Sequence, residues 1–186
     1  MSKTATVFLV RHAEALSVDE DDPELSSAGE EQARRLAERF IGVDVAAILH
    51  SPRRRASSTA SAIHRANSGA EIIASELLND RTPVPSDERR EGYTDLLLQW
   101  LEQVPEAERD PDGVAIEAAL RDLTQIARRR GAIIAVTHNF VIGAMVQRVL
   151  QCPQPLWTRL NSDNAGVTRI DCSKQIVLRS FNGRGP

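Results

Sequence analysis

The sequence predicts an α/β fold: a three-layer α/β/α sandwich with a mostly parallel sheet of about six strands and a small insertion above the sheet's C-terminal edge. Two observations carry this. The runs Val7-Phe8-Leu9-Val10 and Ala132-Ile133-Ile134-Ala135-Val136 are short, rich in β-branched residues and free of charge, as parallel strands buried on both faces are. Between such runs lie segments whose apolar residues recur at helical spacing. A third observation says where the chemistry lies. The first run leads into Arg11-His12-Ala13-Glu14 and the later one into Thr137-His138-Asn139, so each histidine stands just past the C-terminal end of a strand. That edge is where open α/β sheets bind ligands. Two imidazoles and an arginine there point to an anionic substrate and a histidine with a chemical task.

Each further element follows from local pattern. After an acidic stretch, Asp19 to Glu24, Ser27 with Glu30 forms a capping box, and Ala33, Leu36, Ala37, Phe40 and Ile41 continue an amphipathic helix from about 27 to 41. Val45 to Leu49 is a second strand. Ser51-Pro52 supplies a cap and a first-turn proline for a helix reaching about Arg65. Glu71 to Ala74 is a weaker third strand. The stretch from Leu78 to Gly113 holds Pro83, Pro85, Pro105 and Pro111, many charges and one apolar patch, Leu96 to Leu101. It reads as loop with one helix, the insertion at about 80–113. Ile116, Leu120, Leu123 and Ile126 or Ala127 mark the next helix. It closes on Arg128-Arg129-Arg130 and Gly131, cations at the negative helix end and then a glycine cap. The strand before His138 is followed by a helix from about Phe140 to Leu150, then by strands at Val167–Asp171 and Ile176–Ser180 and a frayed tail from Asn182.

A chain of 186 residues suits one domain over its whole length, insertion included. It is 41% hydrophobic and 26% charged, with a net charge of −3, which does not favour nucleic acid or an anionic membrane surface. No apolar stretch is long enough to span a bilayer, and the first apolar run is too short for a secretory signal. Cys152 and Cys172 lack metal-ligand spacing and read as thiols of a reducing compartment, so a cytoplasmic protein is expected. The acidic stretch reads as a solvated loop rather than a cation site.

Ser51-Pro52-Arg53-Arg54-Arg55-Ala56 also follows a strand and opens a helix. Unpaired N–H groups and the positive dipole end make such a start a phosphate cradle, and a guanidinium adds a planar fork for two phosphate oxygens. Three strand ends thus deliver Arg11, His12, Arg55 and His138 to one edge. Together with Thr59-Ala60, the three segments resemble the motifs of the histidine phosphatase superfamily, branch 1, the phosphoglycerate mutase-like group. Leu25-Ser26, Gly29 and Gln32-Ala33 are similar to that family's first helix, and Asp163 to Thr168 to the stretch before its fifth strand. The resemblance runs from about 6 to 181 and is weakest across the insertion.

The resemblance implies roles by position. His12 is the nucleophile that takes the phosphoryl group; Arg11, Arg55 and His138 hold its oxygens. Chemically this coheres: a neutral imidazole attacks phosphorus in line while cations offset charge on the equatorial oxygens, and no metal or other cofactor is called for. A hydrogen bond from the other ring nitrogen to a carbonyl would fix the tautomer. The family's proton donor often follows Leu-Asn past the third strand, and Leu78-Asn79-Asp80 fits with Asp80 in place of the usual Glu. Glu88 and Glu91 are rivals, and Asp80 also reads as a plain turn residue. Ala13 and Asn139 stand where glycine is frequent. The Asn and Gly-Trp features of true phosphoglycerate mutases are missing, which argues for hydrolysis. The expected activity is a metal-independent phosphatase acting through a phosphohistidine on a small phosphorylated metabolite or a phosphohistidine protein. A phosphomutase and a non-catalytic phospholigand-binding protein are the alternatives.

Overall fold

In the computed structural model, which describes residues 4–17 and 22–185, a six-stranded sheet runs in the order β3-β2-β6-β1-β7-β8. The strands are β1 (Thr6–Arg11), β2 (Val45–His50), β3 (Glu71–Ala74), β6 (Ala132–Thr137), β7 (Val167–Asp171) and β8 (Val177–Gly183). β1, β2, β3 and β6 pair in parallel, whereas β7 and β8 join antiparallel. The three-layer α/β/α architecture expected from the strand and helix pattern is present.

Period-two alternation explains why both faces need cover. Val7, Leu9, Ala47, Leu49, Ile133 and Ala135 point to one face, where they meet Ile116, Leu120 and Leu123 of α4 (Val114–Arg130) and Val141, Ile142 and Met145 of α5 (Asn139–Leu150). Phe8, Val10, Ile48, Ile134 and Val136 point to the other, against Ala33, Leu36 of α1 (Ser27–Arg39) and Ala56, Ala60, Ile63 of α2 (Arg54–Ala66). α4 stops at Gly131, whose φ of 103° suits a residue without Cβ. Among the described residues no helix is long and apolar enough to cross a membrane.

Several boundaries differ from expectation, each for a local reason. The cap of α1 is Ser26, whose Oγ accepts from Gly29 N at 2.9 Å; Ser27 is already the first helical residue. α1 ends at Arg39, leaving Ile41 64% exposed beyond it rather than on its buried face. α2 begins at Arg54, not at Pro52, because Ser51 faces His138 and only receives Arg53 N at 3.3 Å. The insertion holds more than α3 (Asp95–Leu101): β4 (Thr82–Val84) and β5 (Arg109–Pro111) form a small parallel ladder across it. The chain end is not frayed at Asn182. Its Oδ1 accepts from Asp163 N at 2.8 Å, its N–H donates to Thr168 Oγ1 at 3.2 Å, and β8 continues to Gly183. The described part of the acidic stretch is tied down too. Asp22 Oδ1 accepts from Arg54 N at 2.9 Å at the positive end of α2, and Glu24 pairs with Arg54; Asp19 to Asp21 lie outside the described residues.

α1 is docked against the loop that follows His12. Ser26 N donates to Glu14 O at 3.0 Å, and Glu14 N donates to Gln32 Oε1 at 2.9 Å. Gly29 sits so close that a Cβ there would fall 2.0 Å from Glu14 O, whereas a Cβ on Gly69 would meet nothing within 4 Å. Gly29→Ala should therefore cost about 1–3 kcal/mol in urea unfolding, as overpacking against backbone does, while Gly69→Ala should cost nothing measurable. Equal stabilities for the two variants would show that the docking is not as tight as drawn.

Candidate active site

The site grows from the sheet's parallel centre. β1 and β6 pair in register up to Arg11 and Thr137, and the ladder continues past both ends, with His12 N donating to Thr137 O at 2.9 Å. On the other side of β6, Ser51 N donates to Val136 O at 2.9 Å. Three loops thus leave the sheet at one level and bring Arg11, His12, Arg55 and His138 together, as the sequence predicts. Asp80 joins them from the turn after β3. With Arg11, His12 and His138 it forms the floor of a cleft of about 450 Å³ whose wall includes Trp100, Gln103, Glu108 and Phe140. Glu88 and Glu91 are exposed and do not line it, so of the three carboxylates considered as proton donor only Asp80 is in place.

Arg55 is the hub. Its Nε donates to His12 Nε2 at 3.2 Å, and its NH2 group donates to Asp80 Oδ2 at 2.9 Å and lies 3.4 Å from His138 Nδ1. The two imidazole centroids are 5.2 Å apart. His12 Nδ1 lies 2.8 Å from Ala13 O. A carbonyl only accepts, so the proton sits on Nδ1 and the lone pair on Nε2, and the donation from Arg55 requires the same tautomer. Ala13, where glycine is frequent, keeps a negative φ and is fully buried. Its N–H donates to Thr59 Oγ1 at 3.0 Å, and that hydroxyl donates to Arg55 O at 2.8 Å, tying the first motif to the start of α2.

The last quarter of the chain completes the support. Asn164 Nδ2 donates to His12 O at 3.0 Å, and Arg11 NH1 donates to Ser162 O at 2.5 Å. Ser162 is held in turn by Asn139 Oδ1, which accepts from its N at 2.9 Å and its Oγ at 3.1 Å. Arg11 lines the cleft, and its buried Nε has no hydrogen-bond partner among the described residues. His138 Nε2 lies 2.9 Å from Ser51 Oγ, while its Nδ1 lies 3.2 Å from Asp80 Oδ2. Asn164 and Thr59 fall in segments the sequence singles out. So do Ser51 and Asn139, whereas Ser162 falls in none; the contacts of all five are with partners remote in the chain, which no local pattern signals.

Burial sets the protonation states. It lowers His12 from 6.5 to about 4, against the pull of the Ala13 carbonyl and with help from Arg55 and Arg11. It pushes His138 well below the ordinary imidazole value, with His12 and Arg55 adding to the effect. For Asp80 burial acts the other way and raises the carboxyl, although Arg55 opposes it. The site therefore gathers two imidazoles that burial holds toward the neutral form, two guanidinium groups and one carboxyl that burial shifts upward. Among the described residues no group of three or more His, Cys, Asp or Glu is arranged to hold a metal ion.

The family profile of the histidine phosphatase superfamily (branch 1) matches residues 7–182, and the chain belongs to that family. It is 30% identical over 98% of its length to the mouse protein named Serine/threonine-protein phosphatase PGAM5, mitochondrial, and spans 64% of that relative. It is 29% identical over 94% of its length to the Enterobacter protein named "Probable phosphoglycerate mutase GpmB", covering 88% of it. In fold it is similar to the alpha-ribazole phosphatase of Shigella flexneri, with a TM-score of 0.75, 18% identity and 97% of each chain covered.

The low value at His12 links the site to stability. The unfolded imidazole titrates near 6.5 and the folded one at about 4, so between these values the unfolded chain binds the proton more readily. Stability present above pH 6.5 is lost as pH falls toward 4. Urea unfolding should show this loss, and His12→Asn should remove roughly 2–3 kcal/mol of it at about pH 4.5. Identical pH dependence in both proteins would mean that His12 is not held neutral by the fold.

Proposed function

We propose that the protein hydrolyses phosphomonoesters of small molecules through a phosphohistidine on His12, without a metal. The observation that carries this reading is the His12 ring: neutral, fixed through Nδ1 to Ala13 O at 2.8 Å, with its Nε2 lone pair beside Arg55 at the cleft floor. Phosphate oxygens draw the Arg55 guanidinium toward themselves and free that lone pair. Nε2 attacks phosphorus, the ester P–O bond breaks, and the departing alkoxide takes a proton from Asp80. Water then attacks the same phosphorus and gives a proton to the Asp80 carboxylate as the N–P bond breaks, releasing phosphate and restoring neutral His12. Arg11, Arg55 and His138 hold the equatorial oxygens, where fixed positive charge and donors act most strongly on the transition state. The phosphatase names among the relatives and neighbours support the reaction class; the absence of the mutase sequence features supports hydrolysis over transfer.

Rapid quench with p-nitrophenyl phosphate should trap acid-labile phosphate on His12. Equal labelling of a His12→Ala protein would sink the proposal. The donor role of Asp80 has its own signature. An aryl leaving group needs little protonation and an alkyl one needs much, so Asp80→Asn should slow single-turnover phosphorylation by alkyl phosphates by about 10²–10⁴-fold and by aryl phosphates far less. Equal small effects would reduce Asp80 to a residue that positions Arg55.

A further inference from the structure

Above the phosphate floor the cleft has a wall that the proposed reaction does not use. Trp100 closes α3 at the mouth and stays 38% exposed. It is nevertheless braced: its ring packs on Phe140 at 5.5 Å and on Trp157 at 6.5 Å, and those two pack on each other at 5.3 Å, with Trp157 fully buried. A large indole face held rigid at a cleft mouth is a ready platform for an apolar or aromatic group. Glu108, on a short 3-10 turn before β5, is the other notable wall residue. Its side chain is 28% exposed, and Arg53 lies 3.8 Å away. A carboxylate accepts through about four lone-pair sites, so it can hold Arg53 and a ligand donor together. Among the described residues lining the cleft, Glu108, with Arg53 beside it, is the charged one on the wall above Asp80; the lining cation, Arg11, lies at the floor.

We propose that this wall selects the alcohol part of the substrate: Glu108 receives a hydrogen-bond donor, an ammonium above all, Trp100 receives an apolar or aromatic face, and an alcohol bearing a second anion is disfavoured. The proposal rests on the hydrolase reading only in taking the floor as the phosphate site. A phosphate held by Arg11 and Arg55 directs the rest of the ester toward the wall. A carboxylate on that part meets like charge at Glu108 in a half-buried setting where Coulomb repulsion is weakly screened. An ammonium meets a charge-assisted acceptor instead. Specificity then comes from repulsion as well as attraction.

Phosphonates carry the charged head group on a C–P bond that hydrolysis does not cleave, so wild-type binding can be read directly. Calorimetry would compare propylphosphonates ending in ammonium, methyl, carboxylate or phenyl. The ammonium-ended probe should bind about tenfold more tightly than the carboxylate-ended one. Glu108→Gln should remove most of that preference and Glu108→Lys should reverse it. Trp100→Ala should weaken the phenyl-ended probe about tenfold and the methyl-ended one about twofold or less. Equal binding of the ammonium and carboxylate probes by wild type, or a preference that survives Glu108→Lys, overturns the proposal. Wild-type turnover of p-nitrophenyl phosphate, measured alongside, separates the two readings. Turnover without the preference fells the wall's role and spares the hydrolase, and the preference without turnover does the reverse.

Discussion

Parallel pairing of β1 with β6 at the centre of the sheet fixes everything at the cleft. The register that sets Arg11 opposite Thr137 also sets Val7, Leu9, Ile133 and Ala135 on one face and Phe8, Val10, Ile134 and Val136 on the other. A slip of one residue would turn each of these buried side chains to the opposite layer, so the core itself defends the alignment. His12 and His138 inherit that alignment because they are the next residues out. The hydrogen bond from His12 N to Thr137 O shows the ladder running into the functional loops without a break. Rigid scaffolding of this kind is what a reaction needs when atoms must be held to fractions of an ångström.

The same burial that aligns the loops sets their electrostatics. Burial above all, with two guanidinium groups adding to it, holds the His12 imidazole neutral so that it keeps its lone pair. The Asp80 carboxyl, which accepts from Arg55, is shifted upward by the same loss of water, so one cause pushes both groups toward their neutral forms. Arg55 links them, touching His12, Asp80 and His138 with one planar group. Such a cluster of cations and desolvated imidazoles is a burden on folding that the surrounding core must offset, a common cost where activity is concentrated.

Much of this was legible in the sequence because the signals were local. Uncharged apolar runs gave β1 and β6, cations and Gly131 gave the end of α4, and strand ends located four of the five site residues. The misread boundaries have local causes as well. Ser27 with Glu30 has the spacing of a capping box, but Ser26, held to Glu14 twelve residues back, takes the cap position. Ser51-Pro52 carries every mark of a helix start, but its hydroxyl is recruited by His138, which lies 87 positions away. β4 and β5 are three residues each with a proline in both, too short for any alternation to register. Trp100 and Glu108 reach the cleft because the insertion lies above the sheet edge, where the sequence places it, but no local pattern marks Glu108 as the side chain that faces the cleft.

The anchoring of the first motif by the last quarter of the chain bears on how the protein is made. His12 is held by Asn164 across 152 positions, and Arg11 by Ser162 across 151. On the ribosome the segment bearing the proposed nucleophile emerges well before the strands and loops that orient it. Contacts of such long sequence separation form late and slowly, because chain closure must precede any gain from packing. A growing chain therefore displays Arg11 and His12 before Ser162 and Asn164 are there to hold them. The arrangement of Arg11 and His12 is completed only when the segment carrying Ser162 and Asn164 docks, which makes that geometry a marker of late folding.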